Sequence, residues 1–173
     1  MNFTNEQIEM GQIPSAQTVL YAGLNTNYRI VQIIRLILTL FVFGGVYTLF
    51  ISLVPKLNKL PLSWVLSGLG AIFLLGIVTI FVSFRFKGYA LRTRDILYKK
   101  GWLFKSTTIV PFNRVQHCEV TQGPISSFFN LTRLHVYTAG GSQSDLVIPG
   151  ILKSRATELK HFITDRTTDG EEE

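Results

Sequence analysis

LILTLFVFGGVYTLFISLV (residues 36–54) and LSWVLSGLGAIFLLGIVTIFVSF (residues 62–84) stand back to back, separated only by PKLNKLP at 55–61. Neither run contains an Asp, Glu, Lys, Arg or His. A helix of about 20 apolar residues crosses the roughly 30 Å hydrocarbon core of a bilayer, and these runs hold about 19 and 23. Leu, Ile, Phe and Val fill most of the first run, each favouring insertion by about 0.3–0.6 kcal/mol at mid-bilayer. The linker, with two prolines and two lysines, cannot continue a helix through hydrocarbon. Core helices of water-soluble proteins seldom run this far without a charge. The pattern predicts a transmembrane hairpin.

The remainder of the 173 residues suffices for one small domain. The expected division is a cytoplasmic N-terminal arm at 1–27, the hairpin at 28–84, a domain at 85–164 and a disordered acidic tail at 165–173. The net charge of +6 is unevenly spread. Residues 85–164 carry twelve basic and four acidic side chains, so a domain tethered to a bilayer faces anionic lipid first. Arg29 and Arg35 precede the first span, and Arg85, Lys87, Arg92, Arg94, Lys99 and Lys100 follow the second, against only Lys56 and Lys59 in the loop. By the positive-inside rule both termini are cytoplasmic. The single cysteine, Cys118, excludes an internal disulfide framework and fits a reducing compartment. The first run begins too late, with no small-residue cleavage site, to be a signal peptide.

Residues 1–25 are weakly patterned and read as a loosely fixed arm, with Thr26 as the cap of a helix that begins before the bilayer. Within the spans, small and hydroxylated residues recur every fourth position: Gly44, Thr48 and Ser52 on the first, Ser63, Ser67 and Ala71, then Thr79 and Ser83, on the second. Such stripes let helix backbones approach closely, so they are expected to face each other or a partner's helix. A transport path is not expected, because neither span carries an ionisable residue.

After Lys87 the apolar period becomes two, predicting short antiparallel strands. They fall near 89–94, 96–100, 102–110, 114–121, 134–138 and 146–148, with turns at Arg94-Asp95, Gly101, 111–113, 122–124 and Gly140-Gly141, and with Pro149-Gly150 closing the set. On this reading Arg92 and Arg94 share a strand face. Ser154 then caps an amphipathic helix to about Thr164, with Leu159, Phe162 and Ile163 along one face. The fold class is α+β: a two-helix membrane hairpin, then a small antiparallel β-barrel or sandwich capped by a C-terminal helix.

Several pieces in this order carry a resemblance: Tyr89, Thr93-Arg94, Gly101, Ile109-Val110-Pro111, Arg114-Val115-Gln116-His117, Gln122-Gly123-Pro124 and Thr138-Ala139-Gly140. Together they resemble the bacterial pleckstrin-homology-like (bPH) domain of small YdbS-like membrane proteins, over residues 29–162. The resemblance implies a PH-like fold of two near-orthogonal antiparallel sheets closed by a C-terminal helix, and brings no settled activity. Asn130 stands where members commonly have Gly, and Asn also tolerates the left-handed conformation.

His117, Cys118, Glu119 and His135 are the nearest approach to a metal set. Adjacent strand residues point to opposite faces, and no paired Cys/His spacing accompanies them, so no metal is expected. No nucleophile elbow or phosphate-cradling glycine loop appears, so neither a catalytic residue nor a cofactor is assigned. The basic set Arg85, Lys87, Arg92, Arg94, Lys99 and Lys100 is the candidate site for lipid or an acidic partner. Topology-setting charge explains it equally well. No aromatic platform interleaves the charges, so nucleic acid is not an expected partner.

These readings predict a non-enzymatic, membrane-anchored binding module at the bacterial inner membrane. By resemblance, its partner would be another membrane protein with PH-like domains and its role envelope integrity or resistance to membrane-active agents. The alternative is a sensor of anionic lipid headgroups.

Overall fold

The structure, a computed structural model, describes residues 19–54, 62–139 and 144–169. After a two-residue strand, two long helices follow, α1 (Asn27–Leu53) and α2 (Leu62–Arg85). No part of the most apolar stretch of either is buried inside the fold, so their side chains present a broad fatty surface outward. A core helix of a soluble protein would be covered; this pair is left for lipid.

The seam between the helices differs from the expected stripes. The half-buried positions include Leu36, Leu40, Gly44, Tyr47 and Ile51 on α1 and Val65, Leu69, Phe73, Gly76, Ile80 and Ser83 on α2, spaced three or four apart as one helix face requires, with Thr79 half-buried beside Ile80. The tightest approach is at Gly76, where an added Cβ would meet Leu36 Cδ2 at 2.6 Å. Gly44 lies in ordinary contact range of Leu69, at 3.8 Å. Thr48, Ser52, Ser63, Ser67 and Ala71 are exposed. The hydroxyls of Thr48, Ser52, Ser67, Thr79 and Ser83 donate to carbonyls of Gly45, Leu49, Trp64, Gly76 and Ile80 in their own helix. Of the expected stripes, Gly44, Thr79 and Ser83 are half-buried, and the exposed residues do not hold the hairpin together.

The domain is two stacked antiparallel sheets. The first has the order β1-β2-β3-β4, from β1 (Ala22–Gly23), β2 (Gly88–Leu91), β3 (Asp95–Lys100) and β4 (Ser106–Pro111). The second has the order β5-β6-β7, from β5 (Val115–Thr121), β6 (Leu131–Thr138) and β7 (Leu146–Leu152). A one-turn helix, α3 (Pro124–Ser127), joins β5 to β6. The sheets share no ladder, so the domain is a sandwich and not a closed barrel. Its core is Ile96, Leu131, Leu134, Val136 and Ile148, all fully buried. Helix α4 (Lys153–Asp169) covers one opening through Ala156, Leu159 and Ile163, and runs on into the segment expected to be a tail.

Three strand expectations are corrected. Residues 102–105 form an exposed loop, because Gly101 at φ +94° turns the chain so tightly that a Cβ there would strike the Phe104 carbonyl. Pro149-Gly150 does not end the last strand, which runs to Leu152; Arg133 pairs with Pro149 and Thr132 with Ile151, so Gly150 is the extra residue of a bulge that lets the strand continue. Arg92 and Arg94 share no strand face, since β2 stops at Leu91 and β3 begins at Asp95. The Gly140-Gly141 hairpin falls outside the described residues.

The end of the N-terminal arm is not loose. Ala22 and Gly23 pair with Tyr89 and Gly88 as the edge of the first sheet. Leu24, Tyr28 and Val31 lie in the same hydrophobic core as the strands. Tyr28 packs so closely on Gly150 (φ +68°) that any Cβ there would sit 2.5 Å from its ring. Thr26 makes no side-chain cap; Asn25 Oδ1 accepts from the Asn27 N–H at 2.9 Å instead, because Thr26 has already taken helical dihedrals. One helix thus begins inside the domain and continues into the apolar hairpin.

Candidate functional site

The six basic residues fall into two groups at opposite ends of the first sheet. Gly88 pairs with Lys99, and Leu91 with Ile96. Lys99, Lys100 and Lys87 therefore gather where α2 hands over to β2, next to Arg85. Arg92 and Arg94 occupy the turn at the far end, roughly 10 Å away at about 3.4 Å per strand residue. There the Arg92 N–H bonds the Asp95 carbonyl at 2.9 Å. The Arg92 Nε–Asp95 Oδ1 ion pair, at 3.8 Å, is too long for a hydrogen bond. Arg92 is thus turned toward Asp95, leaving Arg94 as the exposed charge of that turn.

The lysine end is the more organised. Lys87 Nζ lies 5.8 Å from the Tyr28 ring centroid, and Lys99 Nζ 5.6 Å from that of Tyr21, both in cation–π range. Burial, with Lys100 nearby, pushes the Lys87 ammonium below its ordinary pKa. Like charges held together favour an anionic counterpart. Arg85 and Lys100 are exposed beside it.

Sequence reasoning did not find the residues that fix this end to the hairpin. The Arg29 guanidinium lies 4.6 Å from the Phe84 ring and 5.5 Å from that of Phe81, clamping α1 to α2. Arg35 Nη2 donates to Ser126 Oγ at 3.3 Å, which ties α3 to α1 at the residue before the apolar run. In the sequence both arginines read as topology charge and, at helical spacing with Gln32, as part of a helix continuing out of the membrane, with no sign of these contacts.

The His/Cys constellation divides as strand geometry requires. Cys118 is buried, and burial pushes its thiol up to about 11. His117 and Glu119 are exposed on the other face. There His117 stacks on Tyr137 at 4.3 Å and 12°, and Tyr137 Oη donates to Glu119 Oε2 at 3.2 Å. His135 continues the row, 6.3 Å from the Tyr137 ring centroid, and its ring nitrogens contact Thr121 Oγ1 at 3.0 Å and Ser144 Oγ at 3.3 Å. Among the described residues no group of three or more His, Cys, Asp or Glu is placed to hold a metal. The result is an ordered aromatic and polar row across β5 and β6. Its signal in the sequence was the cross-strand pairing His117↔Tyr137, visible only once the register is known.

Comparison with known proteins fits this architecture. The family model described as Bacterial PH domain matches residues 30–167. The transmembrane protein YdbS of Bacillus subtilis (strain 168) is 33% identical over 113 residues, covering 61% of this chain and 69% of that protein. No solved structure matches the chain.

Proposed function

The chain belongs to the bacterial PH domain family, and from that premise we propose that this membrane protein is a non-enzymatic binding module. Its domain docks a protein partner at the cytoplasmic face of the inner membrane, with both termini cytoplasmic. The partner class we favour is a larger membrane protein with related domains, and the role is envelope integrity or resistance to membrane-active agents.

The observation that supports docking is the ordered row His117, Tyr137 and His135 on the outer face of the second sheet. His117 is exposed and Tyr137 and His135 are half-buried, and rings already held by stacking and hydrogen bonds lose little rotamer freedom on binding. The lysine cluster at Lys87, Lys99 and Lys100 supports the second reading, an anionic-headgroup sensor, since each charge near such a leaflet contributes about 1 kcal/mol.

One experiment separates them. The full chain is affinity-purified from mild detergent, and co-eluting proteins and lipids are identified. Docking predicts a membrane protein that is lost with Tyr137→Ala and His117→Ala but retained with Lys99→Gln and Lys100→Gln. Absence of any co-eluting protein, with retained anionic lipid that disappears only in the lysine variants, would overturn docking in favour of the sensor.

A further inference from the structure

We propose that the β3–β4 loop, Gly101–Lys105, is a second membrane attachment: it seats Trp102, Leu103 and Phe104 in the interface of the anionic leaflet next to which α2 ends. The proposal rests on the hairpin spanning the bilayer, and not on partner docking.

Exposure is the first observation. Trp102, Leu103 and Phe104 are 43%, 66% and 85% exposed. Three consecutive large apolar side chains in a loop, uncovered by the fold, mark a contact surface. The turn that presents them is built for it, since only glycine fits at Gly101.

Position is the second. Strand β2 leads away from the end of α2, and antiparallel β3 returns the chain to that end, with Lys99 opposite Gly88. The loop follows directly. Gly88 itself is only three residues past Arg85, the last residue of α2. The domain cannot swing this loop elsewhere. Val31, fully buried in its core, and Leu36, the first residue of the apolar run, lie on one continuous helix, about 7.5 Å apart along its axis. A second corner of the domain also faces this side: Phe128, 89% exposed, follows α3, which Arg35 ties to α1.

Chemistry is the third. Lys99 and Lys100 precede the apolar triplet and Lys105 follows it, with Lys87 and Arg85 beside them. Apolar tips ringed by lysine fit an anionic bilayer surface, where the rings and alkyl chains enter the interface and the ammonium groups meet phosphates. Tryptophan favours this depth. The chain has two tryptophans: Trp64, 72% exposed near the start of α2, and Trp102 near its other end. They would mark the two interfaces of one bilayer. An acidic protein would account for the lysines but not for their place with an apolar tip beside the end of a span, so lipid is the favoured occupant.

The test uses the full chain in vesicles of mixed zwitterionic and anionic lipid. Trp64→Phe leaves Trp102 as the only tryptophan, and Trp102→Phe leaves Trp64 as the control for insertion. The expected result is that lipids brominated near the top of the acyl chain quench Trp102, while aqueous acrylamide quenches it several-fold less than free tryptophan. Replacing Leu103 and Phe104 by Glu, or Lys99, Lys100 and Lys105 by Gln, should return Trp102 to acrylamide. Full acrylamide access at Trp102 with normal bromolipid quenching at Trp64 would overturn the loop proposal and leave the spanning hairpin intact. Loss of quenching at both would overturn the spanning reading and the proposal together.

Discussion

Gly150 shows how one residue joins the membrane helix to the domain. It sits at φ +68°, and any Cβ there would lie 2.5 Å from Tyr28 Cγ and 2.8 Å from Tyr28 Cβ. The absent side chain is what lets α1 pack onto β7. Gly150→Ala combines a left-handed alanine, at about 1–2 kcal/mol, with an overpacking clash of about 1–3 kcal/mol. Thermal unfolding in detergent should show a loss of roughly 2–5 kcal/mol, whereas Gly23→Ala, with open space around its Cβ, should change little. The dipeptide Pro149-Gly150 reads as a strand terminator in the sequence because both residues commonly punctuate strands. Its actual role depends on a tyrosine more than a hundred positions earlier, which no local pattern reports.

At the scale of elements, the two spans were legible and their mutual face was not. Length and absence of charge decide that a helix crosses a bilayer. The face it turns to its neighbour depends on which side chains interlock, and in hydrocarbon many apolar faces are near-equivalent. The small-residue stripes suggested a seam between the spans or with a partner's helix; most of their residues are exposed, and the two helices approach most tightly at Leu36 and Gly76. In a Cys118→Ser background, Leu36→Cys with Gly76→Cys should therefore cross-link within one chain under mild oxidation. Ser52→Cys with Ser63→Cys, both on exposed positions, should not. The reverse pattern on a non-reducing gel would restore the stripe as the hairpin interface. Strand alternation was legible where one face is buried, as in Leu134 and Val136. It misled at 102–105, where consecutive apolar residues are exposed in a loop.

For the whole molecule, the domain boundary lies earlier in the chain than the change of composition after Phe84 suggests. Leu24, Tyr28 and Val31 complete the core from the N-terminal side of the hairpin, and β1 lines the sheet edge. A fragment of residues 87–169 should therefore fail to fold on its own, with poorly dispersed amide resonances. Adding back residues 19–35 as a separate peptide should restore dispersion, and a well-folded fragment without them would show the N-terminal segment to be dispensable. Because α1 is continuous and only Phe86 and Lys87 separate α2 from β2, the domain is held close to the helical hairpin. It is not a module on a flexible tether.

By itself the sequence determined the solvent of each segment: two runs without charge belong in lipid, and alternating runs belong in a half-buried sheet. These are properties of consecutive residues, and transfer free energy acts on them wherever the chain folds. Only the tertiary structure decided which distant residues meet. It set Tyr28 on Gly150, sent Arg92 to the opposite end of the sheet from Lys99, and brought Trp102 back beside the end of α2. Such meetings follow from strand register and packing complementarity, which depend on pairs of residues far apart in sequence and so leave no periodic trace along it.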